Sequence, residues 1–279
     1  MKINQQTATT TKNSKKEIDL HLHTTASDGT FTPSEMVKFA KVKGLSAIAI
    51  TDHDTVNGVP EAIYAGKKEK LEVISGIEFS TEYHNQSIHI VGLFVDYLDK
   101  ELLKLTKEIV QSRKTRAIKM IEKINALDEG NPLTIQEIEK KADGLIGKLH
   151  IANTMVEKGY ADTIDEIFEK YLKRDAKCYV PRFKLSPKQA IEFLNKKKAI
   201  PILAHPGLYD FLDLKQFLIK HKSHGLKGIE VYYPSHSPKY QQKLKELAKE
   251  LNLCVSGGSD CHGEVNNDPL CGSLHIPYK

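Results

Sequence analysis

Arginine is nearly absent from this chain. It occurs four times, against a lysine-dominated basic total of 41. Strong net charge is absent too: +5 over 279 residues is compatible with an anionic substrate but is no footprint of a nucleic-acid-coating protein. The few cysteines (Cys178, Cys254, Cys261 and Cys271) show no Cys-x-x-Cys spacing and point to no disulfide framework. No apolar run approaches transmembrane length. The opening "MKINQQTATTTKNSKKE" has no signal-peptide apolar core, and residues 1–16 read as a disordered tail. These absences describe a cytoplasmic protein with no membrane segment and no evident obligate protein partner. Its length suits one large α/β barrel or two modest domains.

What is present is an alternation of short apolar runs with amphipathic stretches. Strands are expected near 17–22, 46–50, 72–77, 88–94, 199–204, 228–232 and 253–257. Helices between them have readable starts: Thr32 precedes Pro33 with Gly44 past the end, and Ser186 precedes Pro187. Strand–helix alternation predicts a largely parallel sheet or barrel over 17–97 and 186–279. Between 98 and 185 the pattern is helical throughout, beginning with a long amphipathic stretch after Asp99. That segment is expected to be an all-helical insertion.

The chemistry gathers at the expected strand ends, where a β/α barrel carries its functional groups. His21 and His23 are two apart on the first strand and so share a face, with Asp28 on the following turn. The second strand runs into "TDHD" with His53, the third into "GIEFS" with Glu78, and the fourth carries His89. The fifth ends in "AHPG" with His205, and the last in "GGSDCHG" with Asp260 and His262. A buried core histidine could explain any one of these, but not the whole series. Six imidazoles and three carboxylates are too many ligands for one tetrahedral ion. They suit two or three divalent ions, and imidazole with carboxylate and no thiolate favours Mn²⁺, Fe²⁺ or Zn²⁺ over Ca²⁺. Cys261, between two such residues, should point away.

The motifs "DLHLHTTASDGTFTP", "AITDHDTVNG", "GIEFS", "LAHPG" and "GGSDCHG" resemble those of the PHP (polymerase and histidinol phosphatase) family of metal-dependent phosphoesterases. The likeness is strongest to its nucleoside 3′,5′-bisphosphate phosphatases and 5′-3′ exoribonucleases. The resemblance implies a distorted seven-stranded β/α barrel and three metal sites. His21, His23, Glu78 and Asp260 would form the first, Glu78, His89 and His205 the second, and Asp28, His53 and His262 the third. Glu78 and Asp260 would be the catalytic carboxylates, holding a metal-bound hydroxide. Similar family members carry Arg where this chain has Lys148, followed by a histidine matching His150.

All four arginines (Arg113, Arg116, Arg174 and Arg182) fall in or just after the helical segment. Arginine that persists against a lysine background suits a planar grip on phosphate. Arg113 and Arg116 share a helix face and are expected to bind substrate together, with Lys148, His150 and Arg182 beside them. Arg174 fits a solvated basic face. His236 is expected in a loop, and His84, His221, His224 and His275 at the surface. The expected substrate is a nucleotide or short oligonucleotide: a nucleoside 3′,5′-bisphosphate losing its 3′-phosphate, or the 5′ end of short RNA. The alternatives are a histidinol-phosphate-type phosphatase, a metal-dependent amidohydrolase, and a non-enzymatic PHP-like accessory domain of a polymerase. The long arginine-bearing segment argues against the first. The lack of a lysine at a strand end argues against the second, and the full ligand set against the third.

Overall fold

The computed structural model describes residues 16–142, 145–210, 213–264 and 270–278. Apart from Lys16, the expected tail lies outside the described residues. The strands are β1 (Glu17–Leu22), β2 (Ala47–Ile50), β3 (Glu72–Tyr83), β4 (Gln86–Leu93), β5 (Ile200–Leu203), β6 (Gly228–Tyr232), β7 (Cys254–Gly257) and β8 (Ile276–Pro277). They form one sheet in the order β7-β6-β5-β4-β3-β2-β1-β8. Seven match the expected runs. The eighth, a two-residue strand antiparallel to β1, is too short to leave a periodic signal in the sequence.

The sheet curls until its ends nearly meet. Just past β7, the Asp260 N–H donates to the His21 carbonyl at 2.9 Å, and the His23 N–H donates to the Cys261 carbonyl at 3.0 Å. The close approach needs a glycine. A Cβ on Gly258 would stand 2.2 Å from that of His21, well inside contact distance.

Besides β8, one strand departs from the parallel pattern. β4 runs antiparallel to both β3 and β5, and it is joined to β3 by His84 and Asn85, with φ of 47° and 67°. Two consecutive positive φ values are what a tight two-residue hairpin requires. β3 is also longer than expected. Glu78 therefore lies inside a 12-residue strand and not at its end, with Ser80 opposite His89 across the hairpin.

Helices α1 (Pro33–Val42) and α2 (Val59–Glu69) precede the hairpin, and α7 (Pro187–Lys196), α8 (Leu214–Lys222) and α9 (Pro238–Glu250) follow the helical segment. The start of α1 is fixed by the reciprocal bonds of Thr32 and Glu35, and that of α7 by Ser186 and Gln189. Between α2 and α7 lie α3 (Lys100–Asn125), α4 (Ile135–Ala142), α5 (Lys148–Glu157) and α6 (Ile164–Ile167), the last continuing into a π-helical turn at Phe168–Leu172. α3 serves two cores. Leu102 and Ile109 pack into the barrel core, whereas Ala117, Met120 and Ile124 pack with Ile151, Met155 and Tyr171 in a second one. Arg113 and Arg116 sit where the helix passes from one core to the other.

One histidine expected at the surface is buried, and His236 lies in its expected loop but is buried there. His221 is 1% exposed and stacks on Phe217 at 4.0 Å between ring centroids. His236 is 4% exposed and accepts the Gly207 N–H at 3.1 Å. The Nδ1 of His221 meets the Phe217 carbonyl and that of His236 the Val231 carbonyl, both at 2.9 Å. All four cysteines are free, and Cys261 joins the barrel core. Among the described residues, no helix is long and apolar enough to cross a membrane.

Candidate metal centre

Glu78 is the hub. It is fully buried, and five imidazoles from four parts of the barrel surround it. His21 and His23 each place Nε2 3.3 Å from Oε2, and His53 places Nδ1 2.8 Å from the same oxygen. His89 Nδ1 lies 3.0 Å and His205 Nε2 3.1 Å from Oε1. Asp260 faces the His21–His23 pair at 3.4 and 3.0 Å. Asp28 stands 3.4 Å from His262 and 3.8 Å from His53. The reversed β4 is what brings His89 to this end of the barrel.

All nine residues singled out in the sequence therefore meet. Eight of them place ligand atoms in three overlapping groups, each with all members within 4.8 Å: His21, His23, Glu78 and Asp260; His53, Glu78 and His89; and His23, Asp28, His53 and His262. The first is one of the sets implied by the resemblance. In the second, His53 stands where His205 was expected, and His205 meets Glu78 from a further side. The third gains His23, because its two ring nitrogens face different carboxylates.

A divalent cation fits this donor set. The buried atoms His21 Nε2, His23 Nε2, His53 Nδ1, Glu78 Oε2 and Asp260 Oδ1 have no hydrogen-bond partner, although they lie only 2.8–3.4 Å apart. Unpartnered buried polar atoms are costly. Here they converge, and the mixed imidazole–carboxylate chemistry is that of a metal site. The electrostatics agree. Burial alone would make His23 harder to protonate, but Asp260 and Glu78 overcome it and push its pKa up to about 10. His21 is likewise buried, and Glu230, Glu78 and Asp260 carry it well above the ordinary value. Glu78 is held well below the carboxylate range despite burial, chiefly by His53 and His21. Without a cation the site draws in protons instead.

Residues not singled out in the sequence hold the ligands in place. The buried Glu230 on β6 lies 3.0 Å from His21 Nδ1 and accepts the His205 N–H at 2.7 Å. It aims the opposite nitrogen of His21 at the cluster. A glutamate inside the otherwise apolar run "GIEVY" was the signal available. Tyr209 and Tyr233 place their hydroxyls 3.2 Å from His205 Nδ1 and Asp260 Oδ2 respectively.

A cavity of about 600 Å³ opens beside the cluster and is lined by Asp28, Asp260, His262, Arg113 and His150. Leu145, Leu149 and Leu270 form an apolar wall. Arg113 is not free: its Nε donates to Asp54 at 3.1 Å and its Nη2 to Ser80 at 3.0 Å. Arg182 approaches Asp54 at 3.6 Å with a side chain 3% exposed. Arg116 is buried beside Arg113, and the Nε atoms of Arg116 and Arg182 have no partner. Burial and Arg113 push Arg116 down to about 10. Burial and Arg116 push Lys148 down to about 8. Arg174 instead pairs with Glu82 at 3.1 Å, near the surface.

A β/α barrel whose strands converge on overlapping His–carboxylate groups is the architecture of a metal-dependent hydrolase. The chain belongs to the PHP domain family, whose model matches residues 19–186. A 5′-3′ exoribonuclease of Haemophilus influenzae is 32% identical over 88% of this chain and 90% of its own length. A 3′,5′-nucleoside bisphosphate phosphatase of Chromobacterium violaceum is 30% identical over 90% of each. Among solved structures, an amidohydrolase from Chromobacterium violaceum with bound sulfate superposes with a TM-score of 0.79 at 29% identity, covering 90% of this chain and 89% of the other. A Bifidobacterium adolescentis protein described as a candidate metal-dependent phosphoesterase gives 0.78 at 28% identity, covering 91% of each. The exoribonuclease and the bisphosphate phosphatase are hydrolases of phosphate esters, and this chain is a metal-dependent enzyme of that class.

Two outcomes follow from the site's electrostatics. A histidine held protonated at neutral pH must lose its proton before it can ligate. Adding Mn²⁺ to chelated protein near neutral pH should therefore release at least one proton per chain, read by an indicator dye in weak buffer. The apparent affinity should rise by about tenfold per pH unit for each proton displaced. Unchanged proton balance would contradict the raised histidine pKa values. Glu230→Gln should lower metal affinity by about 10- to 100-fold in a chelator competition, with the fold intact.

Proposed function

We propose that this phosphoester hydrolase acts on nucleotides bearing two phosphates, either a nucleoside 3′,5′-bisphosphate losing its 3′-phosphate or the 5′ end of a short RNA. The observation that carries this reading is the charge imbalance beside the metal centre. Arg113 and Arg182 share one carboxylate, Asp54, while Arg116 lies buried beside Arg113 with its Nε unpartnered. Even with Glu82 acting on Arg182, buried guanidinium charge exceeds the carboxylate beside it, and burying unpaired charge is costly. A phosphate dianion would supply the missing partner.

In this reading the barrel segments 17–97 and 186–279 bear the metals, and the helical segment 98–185 faces the substrate. His21, His23, Glu78 and Asp260 would hold one ion, and Glu78 and His89 with His53 or His205 a second. Asp28, His53 and His262 would hold a third. Two or three ions fit, with Mn²⁺ preferred and Fe²⁺ or Zn²⁺ served by the same donors. When bound, such ions polarise phosphoryl oxygens and acidify water, which is the chemistry that phosphate ester hydrolysis needs. Glu78 and Asp260 are the catalytic carboxylates, since they bring most of the buried negative charge against which the cations sit. Arg113, Arg116 and Arg182, with Lys148 and His150, would bind the distal phosphate and orient the scissile one. Leu145, Leu149 and Leu270 would exclude water along the nucleoside.

The test compares kcat/KM for a nucleoside 3′,5′-bisphosphate, a 5′-phosphorylated RNA, histidinol phosphate and an aryl phosphate on Mn²⁺-reconstituted protein. The first two should be preferred. Arg116→Ala should cost the bisphosphate about 1.5–3 kcal/mol in transition-state binding, roughly ten- to a hundredfold. It should leave the aryl phosphate nearly unchanged. Preference for histidinol phosphate, or equal losses on both substrates, would contradict the two-phosphate reading.

A further inference from the structure

Asp54 follows His53 directly and is fully buried. Its φ of 54° is left-handed, a region that Asp tolerates better than most side chains. The surroundings are specific. The Asp54 N–H donates to the carbonyl of Glu78 at 2.9 Å, and Asp54 Oδ1 accepts the Ser80 N–H at 2.9 Å. The residue is thus clamped to β3 on both sides of the Glu78–Ser80 step. Its remaining oxygen, Oδ2, receives Arg113 Nε at 3.1 Å and lies 3.6 Å from Arg182 Nη2. Through one side chain, the backbone that carries His53 and Glu78 is tied to two arginines outside the barrel strands.

Asp54 supplies the charged part of what fixes Arg113 beside the metal centre, and the Ser80 hydroxyl supplies a second contact. Arg113 stands on α3 where the helix leaves the barrel core for the second core, and a guanidinium is carried on a long, rotatable stem. Asp54 engages Nε and Nη2, the edge of the fork nearest the stem. The rest of the guanidinium remains for the cavity that Arg113 lines together with Asp28 and His262.

We infer that Asp54 is a positioning residue that sets the distance between the metal centre and the arginine cluster, and so discriminates two-phosphate substrates from simple monoesters. This inference rests on the reading that the arginines hold a second phosphate. It makes a prediction opposite in sign to simple electrostatics. Asp54→Asn removes a negative charge from the anion site, so charge alone would tighten bisphosphate binding. Loss of positioning weakens it.

The experiment measures kcat and KM for a nucleoside 3′,5′-bisphosphate and for an aryl phosphate on metal-reconstituted Asp54→Asn, Ser80→Ala and Arg113→Ala, with bound metal and Tm recorded for each. For Asp54→Asn, kcat/KM on the bisphosphate should fall by about tenfold or more, mainly through KM. Turnover of the aryl phosphate should stay within about threefold, at unchanged metal content. Ser80→Ala leaves the buried ion pair whole and removes one Arg113 contact. It should give a smaller loss with the same selectivity, and it decides the matter if Asp54→Asn does not fold. Tighter bisphosphate binding, or equal losses on both substrates, overturns the positioning role. Selective loss in Arg113→Ala without it in Asp54→Asn and Ser80→Ala overturns the positioning role alone. No selective loss in any variant overturns the two-phosphate reading itself.

Discussion

Burying the Glu78 carboxylate among five imidazoles costs several kcal/mol of lost hydration before any favourable contact is counted. The fold accepts that cost only because the surrounding groups act together. Glu78, Asp260 and Asp28 bring negative charge, the imidazoles bring lone pairs, and a cation or protons must complete the balance. Much of the barrel serves this point. β1 delivers His21 and His23, its near-closure against the end of β7 delivers Asp260, and Gly258 permits the approach. Glu230 and Tyr209 then fix imidazole orientation from behind.

The reversal of β4 belongs to the same account. In a wholly parallel barrel, a histidine in the first half of a strand would point to the wrong end. The His84–Asn85 hairpin turns the chain so that His89 lies opposite Ser80, two residues beyond Glu78. The lengthened β3 also carries Ser80 to the Asp54–Arg113 contact. One irregular hairpin therefore supplies a residue to the metal cluster and a support to the arginine cluster.

The sequence shows the ligands more clearly than their supports. His21 with His23, "TDHD", "AHPG" and "SDCH" stand out because several metal-type residues crowd into short stretches at strand ends, which a β/α barrel gathers on one face. The supporting roles of Glu230 and Asp54 do not show, although "GIEVY" and "TDHD" mark the residues themselves. Their roles arise from contacts to residues far away in the chain, such as His21 and Arg113, which no local pattern encodes. His221 looked like a surface residue because polarity was read without its neighbours, yet Phe217 and a backbone carbonyl satisfy it in the core. The eighth strand escaped notice because two residues cannot display a period. Arg113 was legible as unusual, but its carboxylate partner was visible only in the fold.

The central claim is that the converging unpartnered atoms around Glu78 form a multinuclear cation site, and metal stoichiometry tests it most directly. Protein stripped with chelator, reconstituted with Mn²⁺ and freed of excess ion should retain two or three ions per chain by elemental analysis. Glu78→Gln, which removes the carboxylate charge common to two of the groups, should retain at least one fewer. A parent chain that holds one ion or none, or a Glu78→Gln variant that holds as many as the parent, would contradict the account.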